Sequence, residues 1–449
     1  MEESQPTGVM VTWRFYSILL AASALTAAYV YVKGEDPGLL AAASALLGVA
    51  LGSYLYAKAS WNSVMALSAR RILPPGVVEG RVFNVNVVLE NNSLIPLLAL
   101  EVADSPPALF RVETPPSTLA VLPPRARLAL EYRLVPVAGR HSFGPLTLIV
   151  RDPLGLVVGR AVLDSVEQSE VRVLPKAAYS LALKMAASAV PYMGVSSRKR
   201  GWGTTFYYLR EYSEGDELRS IDWRALARLG KFYVKVFEAE EALKVLLVVI
   251  VDRGMLYGPY GSTMFEDSLR VAATFSIYHL ARGDSVDIHV YSGDGRRYSQ
   301  SNLRGRGSIP WALRILASVA PPTPEGPTLE DARRFLFREL PARLEAGGYY
   351  AVLVTGLEDA PSMLASRDAA FLLRRTIGGL LVHLYKPAYS SAPTSSVLER
   401  VARAKEVLES TWRFRSMLKP LNYEYIAVGP STRIEAVLRG VILHGGRRS

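Results

Sequence analysis

Val245-Leu-Leu-Val-Val-Ile-Val-Asp252 decides how the fold is read. An apolar run without alternation fits a strand buried on both faces, as in a parallel sheet covered by helices. Strand-like stretches recur at Val286–Tyr291, Tyr350–Thr355, Leu380–Tyr385 and Tyr425–Val428. Helical patterns fall between or beyond them, at Phe265–Ala281, Ile309–Val319, Leu329–Leu344, Met363–Thr376, Ser396–Glu409 and Arg433–Val441. The alternation predicts a doubly wound α/β domain over residues 242–449. Ligands on such sheets sit at the carboxyl ends of the strands, so Asp252 marks the rim to inspect.

Upstream the pattern changes twice. Residues 72–175 carry alternating stretches such as Arg81-Val-Phe-Asn-Val-Asn-Val-Val-Leu89, punctuated by Pro-rich turns at Pro74-Pro75, Pro106-Pro107 and Pro123-Pro124. Short strands at regular spacing predict an antiparallel β-sandwich. Residues 1–60 hold two uncharged stretches, Phe15–Val32 and Leu39–Tyr56. Each is about 18 residues and roughly 27 Å long as a helix, enough to approach the hydrocarbon thickness. Trp13, Tyr16, Tyr29, Tyr31, Tyr54, Tyr56 and Trp61 sit at their ends, the placement of an interfacial aromatic belt. Lys33 is the lone basic residue between them, against Lys58, Arg70, Arg71 and Arg81 afterwards. That bias predicts a multi-pass cell-membrane protein with its N-terminus and large C-terminal body in the cytoplasm.

Composition narrows the chemistry. The chain has 449 residues, no cysteine and a formal net charge of +11. Disulfides, thiolate catalysis and zinc–thiolate sites are excluded. The five histidines, His141, His279, His289, His383 and His444, form no ligand-spaced pair. The positive charge suits an anionic membrane or an acidic partner. No nucleic-acid-binding module is recognisable, and none is expected.

Between sandwich and sheet, residues 176–241 form a connecting segment whose centre is Tyr208-Leu-Arg-Glu-Tyr-Ser-Glu-Gly-Asp-Glu-Leu-Arg-Ser-Ile-Asp-Trp-Arg-Ala-Leu-Ala-Arg-Leu-Gly-Lys231. Charges of both signs are dense here. Ser220 or Asp222 can cap a short helix that Gly230 ends. Arg224 and Arg228 lie one turn apart and can both face carboxylates. Trp223 is read as the anchor of the segment against the α/β domain. The bland reading is an ion-paired clasp between domains. The functional reading is a partner-docking surface made by Arg210, Glu211, Gly215, Asp216, Arg219, Asp222, Trp223, Arg224 and Arg228.

Leu209–Asp216 and Arg219–Arg228, followed by the apolar strand ending in Asp252, resemble the domain-of-unknown-function family fifty-eight, a von Willebrand factor A-like family. Arg140-His-Ser-Phe-Gly-Pro145, Arg151-Asp-Pro-Leu-Gly-Leu156 and the membrane hairpin fit the same family. The resemblance implies a membrane-anchored protein commonly encoded beside MoxR-type AAA+ ATPases and acting with them in assembly or maturation of other proteins. Related A domains bind a divalent cation through Asp-x-Ser-x-Ser after the first strand, with a Thr and an Asp from other loops. Here Asp252 is followed by Arg253, Gly254, Met255 and Leu256, and Thr355 by Gly356 and Leu357. Asp252 is therefore the one candidate metal ligand in a degenerate site, and the expectation is a non-enzymatic scaffold without a cofactor, magnesium included. The rival readings are a divalent-metal-dependent enzyme and a structural envelope protein.

Overall fold

The computed structural model describes residues 8–163, 166, 169–177, 197–214, 216–239, 242–344, 347–390, 397–430, 432 and 437, with the backbone alone for 197–208, 219, 236–239, 397 and 400. The helix expected at Arg433–Val441 lies almost wholly outside the described residues. Two compact units emerge, Met1–Val173 and Leu174–Ser449.

The first unit begins with strand β1 (Gly8–Val11) and helices α1 (Trp13–Tyr31) and α2 (Pro37–Met65). Both helices are long and apolar enough to cross a membrane. Asp36 caps α2 by accepting the Gly38 N–H at 2.9 Å, and Pro37 opens it with a preset φ. Ala22 of α1 and Ala43, Ala50, Ser53, Ala57 and Ser60 of α2 are buried and small enough for close helix approach; Ser63 and Val64 are buried nearer the end of α2. Helix α2 runs past the expected end at Tyr56. Its extension packs on strands: Ala57 joins a core with Leu156 and Val157, and the Tyr56 hydroxyl meets the Pro96 carbonyl and the Leu98 N–H. Tyr56 is thus engaged by protein groups, so it is no simple belt residue. Strand β1, absent from the sequence reading because four residues carry no period, pairs with β11 below.

The remaining strands are β2 (Ser68–Ile72), β3 (Val77–Val78), β4 (Phe83–Glu90), β5 (Leu97–Ala103), β6 (Arg111–Val112), β7 (Ser117–Leu122), β8 (Arg127–Val135), β9 (Gly139–Ser142), β10 (Leu146–Arg151), β11 (Val157–Leu163) and β12 (Glu170–Leu174). They form antiparallel sheets of order β1-β11-β10-β5-β7, β2-β4-β8-β6 and β3-β12-β9. Strict alternation in β4 turns Phe83, Val85, Val87 and Leu89 inward, opposite Leu134, Tyr132, Leu130 and Leu128 of β8. One face of this sheet is therefore core. Arg71 of β2 is buried there and forms a bidentate pair with Asp104, the residue after β5, which ties the four-stranded sheet to the five-stranded one.

In the second unit, β13 (Ser197–Glu211) and β14 (Tyr233–Ala239) pair antiparallel, with helix α3 (Trp223–Leu229) in the connection between them. Then follow β15 (Lys244–Ile250), helix α4 (Met264–Arg282), β16 (Ser285–Tyr291), β17 (Arg297–Arg304), helix α5 (Ile309–Leu316), α6 (Leu329–Arg334) continuing through a π-turn into α7 (Leu340–Arg343), β18 (Tyr349–Thr355), α8 (Ala360–Leu364), α9 (Ala370–Arg375), β19 (Thr376–Leu384), α10 (Lys386–Tyr389), α11 (Val397–Leu418) and β20 (Tyr423–Val428). The mixed sheet has the order β17-β16-β15-β18-β19-β20, parallel except for β17. Leu246, Val248 and Ile250 of β15 pack with Phe335, Leu340, Phe414 and Leu418 on one face. Helix α4, buried along almost its whole length, lies against β15, β16, β18 and β19 and takes no part in that cluster, which places it on the other face.

Two expectations are corrected. The predicted helix Met363–Thr376 breaks at Ser366, whose backbone is extended, and Thr376 already starts β19. Serine competes with the helical backbone for hydrogen bonds, which favours a break there. No strand is expected between Tyr291 and Ile309, yet Arg297–Arg304 forms the edge strand β17. Its side chains are mostly exposed and polar, so no apolar period betrays it.

Candidate functional site

The connecting motif is folded by its own charges. Leu209, Arg210 and Glu211 pair with Lys235, Val234 and Tyr233, and the ladder continues through Tyr212 N–H to the Phe232 carbonyl at 2.9 Å. Asp216 accepts the Ser213 N–H at 2.9 Å and a short contact from the Arg210 guanidinium, closing the turn after β13. Asp222 caps α3, accepting from Arg224 N–H at 2.9 Å and Ala225 N–H at 3.2 Å, and stands 3.6 Å from the Lys235 ammonium. Desolvation, the largest single influence, would raise its pKa, but those N–H groups and Lys235 together outweigh it and hold the carboxyl below the usual range. Lys231 reaches Glu211 at 3.1 Å, which raises the lysine's pKa. Gly230 ends α3 at φ +66°, a conformation that favours glycine. Ile221, Ala225 and Val234 are the buried residues beneath.

This geometry changes the status of Trp223. It was expected to anchor the segment, but its side chain is 60% exposed. The cap at Asp222 explains why: α3 starts at Trp223 and turns Ala225 inward, leaving the first turn's aromatic outside. Arg224 and Arg228 are exposed too, with no carboxylate partner among the described residues. Arg219 is described by backbone alone, and Gly215 lies outside the described residues. Leu218, Leu229 and Phe232 are also exposed. Sequence reading passed over these three because apolar residues scattered in a charged loop show no period.

The second candidate region is the rim of the mixed sheet. Counted in chain order its strands run 3-2-1-4-5-6, so the connections after β15 and β18 leave in opposite directions and open a crevice at their carboxyl ends. Asp252 follows β15 there. Its Oδ1 accepts the Gly254 N–H at 2.8 Å and caps the 3₁₀ turn Arg253–Leu256. Its Oδ2 is buried and has no hydrogen-bond partner among the described residues. Burial pushes the carboxyl's pKa up, against the Gly254 N–H; Glu358 adds to the rise and Lys386 opposes it. Arg253 donates to the Gly326 carbonyl at 2.7 Å, and Glu358 pairs with Lys386 at 3.5 Å.

A divalent cation does not fit this donor set. The nearby hydroxyls are in use: Thr263 and Glu266 form a capping box at the start of α4, Ser262 bonds Asp267, and Thr355 accepts the Leu357 N–H. A Cβ on Gly356 would lie 3.1 Å from Asp252 Oδ2 and 2.7 Å from Met264 Cε, so the β18 loop approaches without an oxygen ligand. No group of three His, Cys, Asp or Glu among the described residues could hold a metal. Of the histidines, His141, His279, His289 and His383 are buried and His444 lies outside the described residues; burial holds His141 and His383 at about 4.

The strained carboxylate carries a prediction. A folded pKa raised above the unfolded value means the native state binds the extra proton, so stability falls as pH rises out of the carboxylate range. Asp252→Asn, which keeps the oxygen that caps Gly254, should therefore raise stability at pH 7. The gain should vanish as pH drops to the unfolded aspartate value of about 3.9. Urea unfolding of both proteins across that range checks it; a loss of stability at pH 7 would mean that an unseen partner holds the carboxylate.

Comparisons with known proteins extend the motif and little else. No curated protein matches the chain. Among solved structures, an alkylpurine DNA glycosylase AlkC from Pseudomonas fluorescens bound to DNA shares 14% identity and a TM-score of 0.13, over 30% of this chain and 42% of that one. An exo-β-N-acetylglucosaminidase of family GH20 from Vibrio harveyi shares 10% identity and a TM-score of 0.22, over 80% of this chain and 75% of that one. Likeness at this level establishes neither a common fold nor a common activity. Residues 208–357, which span the motif, the Asp252 rim and β18, match the family described as "Protein of unknown function DUF58", and this match supports that family for the segment.

Proposed function

We propose that the chain is a membrane-anchored interaction protein whose Trp223–Arg224–Arg228 face docks a MoxR-type AAA+ ATPase in the assembly or maturation of other proteins. The exposure of Trp223 carries the reading. An aromatic flanked by arginines without a carboxylate partner among the described residues is the composition of a binding hot spot, and holding it in water stabilises nothing in the free protein. The surrounding ion pairs then serve to present this face. The order 3-2-1-4-5-6 with an antiparallel third strand favours a von Willebrand factor A-like domain. The degenerate rim favours binding by surface complementarity over a metal bridge.

The hairpin α1–α2 supplies the anchor. Leu20, Val30, Leu40, Leu47 and Leu51 are exposed along it, an apolar surface that suits lipid far better than water. The basic residues after α2, against the single Lys33 in the turn, favour a cytoplasmic body. Full-length protein in nanodiscs should retain a purified MoxR-type ATPase encoded beside it. Absence of retention in every nucleotide state would contradict the reading.

A further inference from the structure

Helix α11 has two apolar faces. Phe414 and Leu418 sit in the core against the sheet. On the opposite side Leu398, Val401, Leu408 and Trp412 are exposed by 82%, 61%, 70% and 76%. Lys405 falls on the same line. Leu398, Val401, Lys405, Leu408 and Trp412 follow one another in alternating steps of three and four, the a/d seam that a helix presents to another helix. Arg415 would come next, but its guanidinium turns back to the Tyr425 carbonyl, so the seam ends at Trp412.

We propose that this seam pairs antiparallel with the same helix of a second copy of the chain. Charge and size select that occupant. A parallel pair in register would set Lys405 against its own copy. The antiparallel register that places Val401 against Trp412 of the second copy also places Lys405 against Leu408, with Glu409 beside it. Lys405 and Glu409 already approach to 3.8 Å within one helix, and in this register they also alternate between copies, twice by symmetry. The small Val401 faces the large Trp412, as interdigitating layers require. Two such seams bury on the order of 1,000 Å², the lower bound for a specific interface, so the contact is a weak one.

The chain has no cysteine, which makes cross-linking clean. Within one helix Val401 and Trp412 are separated by roughly 16 Å, too far for a disulfide. The full-length variant carrying both Val401→Cys and Trp412→Cys should form a disulfide-linked dimer under mild oxidation, in detergent and in liposomes, with at least about five times the yield of either single variant. Lys405→Glu, at an exposed position, should lower that yield several-fold. The proposal is overturned if no dimer forms, if Val401→Cys alone cross-links equally well, or if Leu408→Asp leaves the yield unchanged. Quenching of Trp412 fluorescence by brominated lipid without cross-linking would assign the seam to the bilayer and overturn it too.

Discussion

Replacing Asp104 with alanine should destabilise the β-rich unit by about 3–5 kcal/mol. The Arg71 guanidinium is fully buried and donates to both Asp104 oxygens, at 3.0 Å and 2.5 Å, and to the Gly144 carbonyl at 3.3 Å. The Tyr132 hydroxyl donates to the same carboxylate at 2.5 Å, and Ser105 N–H at 2.8 Å. Burial and then the carboxylate itself raise the tyrosine's pKa, so the phenol stays a donor. Without Asp104 the buried guanidinium keeps only the Gly144 carbonyl, with no counter-charge among the described residues, and the phenol loses the carboxylate that accepted from it. The cost comes from this orphaned charge and exceeds the net worth of the pair. Arg71→Met, Asp104→Leu and Tyr132→Phe together should therefore recover most of the loss. Arg71 Nη1 already lacks a partner among the described residues, which makes the native set an imperfect one. Hydrogen exchange in β4 and β8 reads the opening free energy; a change below about 1 kcal/mol for Asp104→Ala would refute the argument.

Gly379→Ala should cost the mixed sheet about 3 kcal/mol or more. Gly379 lies in β19, between Ala351 of β18 and Tyr423 of β20. An added Cβ would meet the Ala351 carbonyl oxygen at 2.3 Å and Tyr423 Cε1 at 2.7 Å. A side chain could rotate away, but a carbonyl inside a parallel ladder cannot move without breaking its own hydrogen bonds. Gly307→Ala, where a Cβ meets nothing within 4 Å, is the matched control and should be near neutral. Urea unfolding that moved equally for both variants would show that the close approach is not what matters.

Architecture was legible wherever burial imposes a period. The continuous apolar run at Val245–Val251 and the clean alternation in β4 led to the right elements within a residue or two. Strand β17 escaped because its Arg-Tyr-Ser-Gln run is polar and largely exposed on both faces, so no core patterns it. The β13–β14 ladder escaped because charge density hid the strand signal at Leu209–Glu211 and Tyr233–Lys235. Capping chemistry is local, so spacing narrowed the cap to Ser220 or Asp222 and placed Gly230 at the helix end; the structure uses Asp222. The direction of Trp223 was not, since it depends on which face of a seven-residue helix tertiary packing chooses, and α3 buries only Ala225.

The docking role of that face is the central claim, and one titration tests it directly. Affinity of the purified MoxR-type ATPase for full-length protein in nanodiscs should fall at least about tenfold, or about 1.4 kcal/mol, on Trp223→Ala, and further on Arg224→Glu with Arg228→Glu. These side chains are exposed, so hydrogen exchange in β13 and β14 should stay as in the parent protein. Unchanged affinity in variants that retain this protection would contradict the account.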